Sequence, residues 1–106
     1  MRAVIKEPGK EPRSIFIPRG STQLHTLQEI VGGNLEHLVM TIHRENVVLL
    51  FDEEGKLKGE EPNIILPWND VIVGPVIFVG TDQEDFTDCP LTAKEIFDGT
   101  SLGVIV

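Results

Sequence analysis

The fold is decided by the stretch NLEHLVMTIHRENVVLLF, which occupies residues 34–51. Its first half alternates in polarity, so that Leu38, Met40 and Ile42 share one face of an extended chain. Its last five residues are all apolar, which is typical of a central strand covered on both faces. The polar residues 44–46 separate the two runs and form a predicted turn. We therefore predict that the two runs pair as antiparallel strands.

A β-hairpin and a helix are predicted on the amino-terminal side of this stretch. Residues 2–6 and 13–17 are short β-rich runs, separated by the Pro8-Gly9 turn signal. From Gln23 to Val31 apolar residues recur at helical spacing, and Gly32-Gly33 ends the pattern. The stripe that we expect to face the core consists of Leu24, Leu27, Ile30 and Val31.

The carboxyl-terminal half alternates between irregular segments and regular elements. Residues 52–74 are rich in Gly and Pro, and are followed by the apolar strand candidate 75–79 and by an acidic loop at 81–90. Thr92-Ala-Lys-Glu95 matches a capping box, which predicts a short helix to Asp98 with Gly99 as its end. Residues 102–106 are predicted as a final edge strand.

These elements predict an α+β fold in a single domain of residues 1–106. We expect a mostly antiparallel sheet of about five strands, with one main helix on one face and a short C-terminal helix.

The composition disfavours several classes of protein. The formal net charge is −8, so direct binding of a nucleic-acid backbone is not expected. No apolar run approaches the roughly 18 residues that a membrane span needs, and the start of the chain lacks a secretory signal pattern. The single cysteine, Cys89, allows no intrachain disulfide, which favours a cytoplasmic location.

No metal site or cofactor is expected. His37 and His43 lie six residues apart on one strand, which separates them by about 20 Å and prevents them from sharing one ion. Cys89 has no neighbouring cysteine at ligand spacing, and Asp85 and Asp88 should raise its thiol pKa, so we predict an inert side chain. No nucleophile or acid–base pair stands out, so no catalytic residue is predicted.

Two surfaces are candidate binding sites. An acidic surface that complements a basic partner protein would consist of Asp82, Glu84, Asp85 and Asp88. A site for a nucleotide-like ligand is the alternative, with cations and a stacking face from Lys10, Arg13, Arg19 and Trp68.

Trp68 itself allows two interpretations. A tryptophan in a loop either anchors that loop on the core or stacks on a ligand or partner, and here the anchor is favoured.

Four motifs, taken in order, resemble a family of short proteins of unknown function from phages, prophages and conjugative elements of bacteria. The motifs are EPGKxP at 7–12, LQxIVGG at 27–33 with Glu36, DEEGKLxG at 52–59 with Pro62-Asn63, and IxGxxxFxG at 72–80. Residues 82–106 lie outside this pattern. The resemblance implies the cytoplasm of a bacterial host, where small accessory proteins interfere with host defence, and it implies no activity or catalytic residues.

Together, these observations favour a non-enzymatic binding module that acts on a host protein through its acidic surface. A small-molecule binder is the alternative, and an enzyme of unknown class ranks third.

Overall fold

The computed structural model describes residues 1–98 and 103–104 of the chain. In this part, nine strands and two helices follow one another. They are β1 (Arg2–Lys6), β2 (Arg13–Phe16), α1 (Gln23–Val31), β3 (Leu35–Ile42), β4 (Glu45–Asp52), β5 (Pro62–Ile65), β6 (Val71–Val73), β7 (Val76–Asp82), β8 (Asp85–Thr87), α2 (Ala93–Asp98) and β9 (Gly103–Val104).

The strands form two antiparallel sheets. Five strands of the larger sheet have the order β2-β1-β7-β4-β3, and β8 pairs with the end of β7 as the sixth. The smaller sheet has the order β6-β5-β9. The predicted pairing of β3 with β4 is confirmed over its whole length, from Leu35 opposite Asp52 to Ile42 opposite Glu45. The α+β class and the mostly antiparallel sheet are therefore confirmed, with more strands than the sequence predicted.

The larger sheet buries an apolar layer on each face. On one face, Leu27 and Val31 of α1 pack over side chains of β1, β4 and β7. On the other face, residues of the smaller sheet and Ile96 of α2 cover the remaining side chains of the same strands. Because Val48 and Leu50 point into the first layer and Leu49 into the second, β4 is the doubly covered central strand that its apolar run predicts.

Helix α1 has the predicted bounds, but its apolar stripe begins later than expected. Leu27 is fully buried, whereas Leu24 is 56% exposed, so its assignment to the core was wrong. The helix contributes Leu27, Ile30 and Val31 to the apolar layer, and all three lie from its midpoint onward. Gly32 ends the helix with a φ of 87°, the left-handed conformation that glycine adopts most readily.

Two segments that were predicted as irregular contain strands. Residues 52–74 include β5 and β6, and the predicted acidic loop is a β-hairpin of β7 and β8. Gln83 has a φ of 54°, which permits the tight turn that places Asp82 opposite Asp85. Asp and Glu are uncommon in strands, which is why the composition favoured a loop.

The capping box before α2 is confirmed. The amide of Thr92 donates to the Glu95 carboxylate at 3.0 Å, and the amide of Glu95 donates to the Thr92 hydroxyl at 3.1 Å. The predicted helix end at Gly99 lies outside the described residues, as does most of the predicted strand at 102–106, of which β9 is described and pairs with β5.

Candidate functional site

Residues of two sequence motifs meet at the end of α1 and form a charged cluster, which we call the clasp. The clasp consists of Gly32, Gly33, Asp52 and Lys58. Lys58 Nζ donates to Asp52 Oδ2 at 2.7 Å and to the carbonyl oxygen of Gly32 at 2.8 Å. The amide of Glu54 donates to Asp52 Oδ1 at 2.9 Å. The clasp therefore ties the end of the helix to the turn that follows β4.

The electrostatics of the clasp favour its charged form. The Asp52 side chain is 1% exposed, and this burial on its own would raise the pKa of the carboxyl. The hydrogen bonds from Lys58 and Glu54, together with the ammonium charge, outweigh burial and lower the pKa of Asp52. In turn, the hydrogen bond to Asp52 raises the pKa of Lys58.

Two motif glycines, Gly33 and Gly55, lie so close to charged side chains that no larger residue fits there. A Cβ atom on Gly33 would lie 2.6 Å from Asp52 Oδ1 and 2.9 Å from Lys58 Nζ, and one on Gly55 would lie 2.8 Å from Glu60 Oε2. Any larger residue would therefore displace the charged groups. These two motif glycines are therefore needed for close packing around Asp52, Lys58 and Glu60.

Glu60 lies beside the clasp in a less favourable setting. Its Oε2 atom is inaccessible to water and has no hydrogen-bond partner within the described residues. Burial raises the pKa of Glu60, the Asp52 charge raises it further, and Lys58 partly opposes both.

The Pro62-Asn63 motif also has a structural role. Lys6 is fully buried, and its Nζ donates to Asn63 Oδ1 at 2.7 Å. The Asn63 amide donates back to the carbonyl oxygens of Lys6 and Gly74, each at 2.7 Å. These bonds join β1 of the larger sheet to β5 of the smaller one.

A cavity of about 360 Å³ lies next to the clasp, and we call it the edge slot. Residues 36–38 of β3 and 71–73 of β6 all line it. Both β3 and β6 are edge strands in the described part of the chain. The lining of the slot therefore includes residues of an edge strand from each sheet.

The edge slot has an apolar floor and a polar rim. The buried or half-buried side chains of its floor are Leu38, Phe51, Leu66 and Ile72. The exposed side chains of its rim are Glu36, Glu53, Lys56, Leu57, Trp68 and Asp70. Lys56 Nζ lies 2.7 Å from Asp70 Oδ1, and this ion pair joins the turn after β4 to the turn that carries Trp68.

Trp68 is 56% exposed at the rim of the slot, and Leu57 nearby is 85% exposed. The prediction that Trp68 anchors its loop on the core was therefore wrong. The loop is held instead by backbone hydrogen bonds from Leu66 to Asp70 and from Asn69 to Leu66. The indole is left available at the surface.

The four acidic residues that were predicted as a partner surface divide into two groups. Asp82, Glu84 and Asp85 are exposed around the turn between β7 and β8, and with this turn they form what we call the acidic hairpin. Asp88 lies beyond it and accepts hydrogen bonds from the Arg2 amide at 2.8 Å and from Arg19 at 3.2 Å. The hydrogen bond from the Arg2 amide is the main reason that the pKa of Asp88 is lowered.

The acidic hairpin and the edge slot are neighbours. The rings of Phe86 in β8 and His37 in β3 pack edge to face, with their centroids 5.5 Å apart. His37 also lines the slot. His37 is therefore the residue that the acidic hairpin and the edge slot share.

The residues of the alternative ligand site lie on separate parts of the surface. Lys10 and Arg13 flank Glu7 near β2, at 4.0 Å and 3.1 Å, and Arg19 pairs with Asp88. Trp68 lies at the β3 edge, which is four strand spacings from β2, or about 19 Å.

Cys89 is buried, and His25 and His43 each contact a neighbouring residue. Cys89 is buried, and burial is the largest cause of its raised pKa, whereas the sequence had suggested its acidic neighbours. His25 contacts Glu29 on α1, and His43 contacts the Glu95 carbonyl oxygen at 3.2 Å.

No group of His, Cys, Asp and Glu that could hold a metal ion occurs within residues 1–98 and 103–104. Nor does this part of the chain contain a helix long and apolar enough to cross a membrane.

Comparison with known proteins identifies a family. No curated protein and no solved structure matches the chain. The family model of DUF3846, a domain of unknown function, matches residues 1–100. The match includes the acidic hairpin, so the expectation that the family pattern stops near residue 81 was wrong for residues 82–100. With nearly its whole length covered, this chain belongs to the DUF3846 family.

Proposed function

We propose that the protein is a non-enzymatic binding module of a phage or mobile genetic element, which acts on a host protein in the bacterial cytoplasm. It would serve as an accessory or anti-defence protein, and its partner would carry a basic surface that complements the acidic hairpin. The observation that carries the proposal is the display of Asp82, Glu84 and Asp85 on one tight turn.

The charges of the acidic hairpin are not balanced within the described part of the chain. No ion pair there includes Asp82, Glu84 or Asp85, whereas Asp52, Asp70 and Asp88 each have a cationic partner. Two like charges that face each other across a strand pair are mildly destabilising. A basic partner would relieve this repulsion on binding.

The hairpin also holds these charges in a defined position. Gln83 sets the turn, and the contact of Phe86 with His37 fixes β8 against the body of the protein. Preorganised charges need less ordering on binding, and they steer a basic protein towards the surface before contact.

A charge-reversal experiment tests this proposal. The immobilised protein is used to capture proteins from bacterial lysate at low and high salt, as wild type and as the Asp82→Lys/Asp85→Lys variant. We expect the variant to lose the captured partner and its salt dependence, because rim charges act over about 8–10 Å before salt screens them.

The matched control is Glu11→Lys/Glu29→Lys, which makes the same charge change at exposed sites outside the hairpin. If both variants lose the captured partner equally, the loss is caused by the change in net charge and not by the hairpin. That result would contradict the proposal. If the hairpin variant still captures its partner, and a small molecule eluted from the wild-type protein is absent from the Lys10→Glu/Arg13→Glu variant, the nucleotide-like ligand is favoured instead.

A further inference from the structure

The edge slot has the features of a pocket for one side chain of a bound strand. The described residues that line it include four carboxylates, from Glu36, Asp52, Glu53 and Asp70, and one ammonium, from Lys56. Asp52 is neutralised by Lys58 and Asp70 by Lys56. Glu36 and Glu53 take part in no ion pair within the described residues, so the rim retains a negative field.

The slot combines this field with aromatic and apolar surface. The exposed indole of Trp68 offers a face on which a guanidinium can stack, and Leu57 adds apolar area beside it. The floor of leucine, isoleucine and phenylalanine side chains suits the methylene stem of a long cation. Arginine matches this combination best, because its planar group both stacks on indole and forms paired hydrogen bonds with carboxylates.

The backbone around the slot suits an extended chain. The outer edges of β3 and β6 carry backbone N–H and C=O groups that no strand in the described residues pairs with. This edge of β3 is eight residues long, and Val39 of the same strand is exposed. A segment that adds to β3 would direct alternate side chains towards the slot.

We propose that the edge slot binds an arginine side chain from an extended segment of a partner protein, which adds as a strand to β3. This inference rests on the proposed function and names the chemistry of the partner. The acidic hairpin would steer the basic partner, and the neighbouring slot would hold its anchor residue.

Trp68 provides the readout, because it is the only tryptophan in the sequence and it lies at the slot. The probe is the peptide acetyl-TVTRTVT-amide, and the matched probe replaces its arginine with citrulline, which has the same shape without the charge. We expect the arginine peptide to change Trp68 fluorescence saturably and to bind at least about tenfold more tightly than the citrulline peptide. Equal affinities, or no saturable change, would overturn the proposal.

Two variants and one modified peptide locate the contacts. Glu36→Gln/Glu53→Gln should weaken the arginine peptide about tenfold, and the control Glu11→Gln/Glu45→Gln, outside the slot, should not. Methylation of the peptide amides along one edge should also weaken binding about tenfold, because it removes donors to β3. If the control pair has the larger effect, or methylation has none, the proposed binding mode is wrong.

Two further outcomes separate this inference from its alternatives. If Trp68 fluorescence depends on protein concentration without peptide, a second copy of the chain occupies the slot and the inference fails. If partner capture depends on Asp82 and Asp85 while the arginine and citrulline peptides behave alike, the slot assignment fails and the proposed function stands.

Discussion

In the clasp, the Asp52 carboxylate is buried and receives hydrogen bonds from Lys58 and the Glu54 amide. At the acidic hairpin, Asp82 and Asp85 face each other across two strands with both carboxylates exposed. The clasp lies within the most motif-like part of the sequence, and its charges and glycines hold the fold together. The acidic hairpin follows the last motif in the sequence, and its carboxylates form no ion pair within the described residues. In this protein, the residues of the sequence motifs therefore stabilise the fold. The unpaired carboxylates of the acidic hairpin are the better guide to a binding surface.

The largest expected effect comes from breaking the clasp at Lys58. In Lys58→Met the buried Asp52 carboxylate loses its ammonium partner, and we expect the free energy of unfolding to fall clearly more than in Lys56→Met. Lys58 is itself 43% exposed, so water screens part of its charge and the loss stays below that for a fully buried pair. Urea denaturation measures the change.

Lys56→Met is the matched control for this prediction. Lys56 pairs with Asp70 at the same 2.7 Å, but both side chains are more than half exposed, so we expect a loss of at most about 1 kcal/mol. Similar losses in the two variants would mean that burial does not distinguish the clasp from surface charge.

Gly33→Ala tests whether the motif glycine is needed for the clasp. The new Cβ would displace Asp52 and Lys58, and we expect a loss of about 1–3 kcal/mol. Because both substitutions disturb the same contact, the losses of Gly33→Ala and Lys58→Met should not add in the double variant. Additive losses in a thermodynamic cycle would show that Gly33 acts elsewhere.

Glu60 and Asp52 should have opposite effects on how the stability of the protein depends on pH. Asp52 has a lowered pKa in the folded state, so its contribution is present above its ordinary value of 3.8 and is lost as the pH falls through the folded value. Glu60 has a raised pKa, so its contribution is present below 4.5 and is lost as the pH rises through the folded value.

Glu60→Gln should therefore stabilise the protein at pH 7 by about 1 kcal/mol, because it removes a carboxylate charge that burial and the nearby Asp52 charge disfavour. The gain should shrink towards zero at pH 4, where the wild-type carboxyl is protonated. Chemical denaturation at the two pH values measures the difference, and a gain that is constant with pH would contradict the assignment.

The smallest expected effect is on stability at the acidic hairpin. Asp82→Asn/Asp85→Asn removes two facing charges from exposed positions, and we expect a change within about 0.5 kcal/mol, in the stabilising direction. A thermal melt measures it. A clear loss of stability would give these carboxylates a structural role like that of Asp52 and would weaken the comparison.

Much of the fold could be predicted from the sequence, because its strongest signals are local. The β3–β4 pair follows from alternation and an apolar run, the bounds of α1 from Leu27, Val31 and the glycines after them, and α2 from its capping box. Leu24 fits the same helical stripe but is exposed, since periodicity within a helix does not show where the helix leaves the sheet.

The site was much harder to predict. The edge slot brings together residues 36–38, 51–57 and 66–73, and only the pairing of β3 with β4 and of β5 with β6 defines its walls. An available signal was the presence of Leu57 and Trp68, large apolar residues within a polar segment rich in Gly and Pro. The partners of Asp52 and Asp88 could not be predicted, because they depend on contacts between distant parts of the chain.

The position of β7 between β1 and β4 has a consequence for the order in which the chain folds. The β1–β2 and β3–β4 hairpins contain only local pairings and can form early during synthesis. They remain separate until residues 76–82 leave the ribosome, because β7 is the strand that joins them. Until then, the inner edges of both hairpins are open to other chains. The interval in which residues 53–75 emerge from the ribosome is therefore the one in which a nascent chain is most exposed to aggregation, and a chain held at that stage should recruit chaperones most strongly.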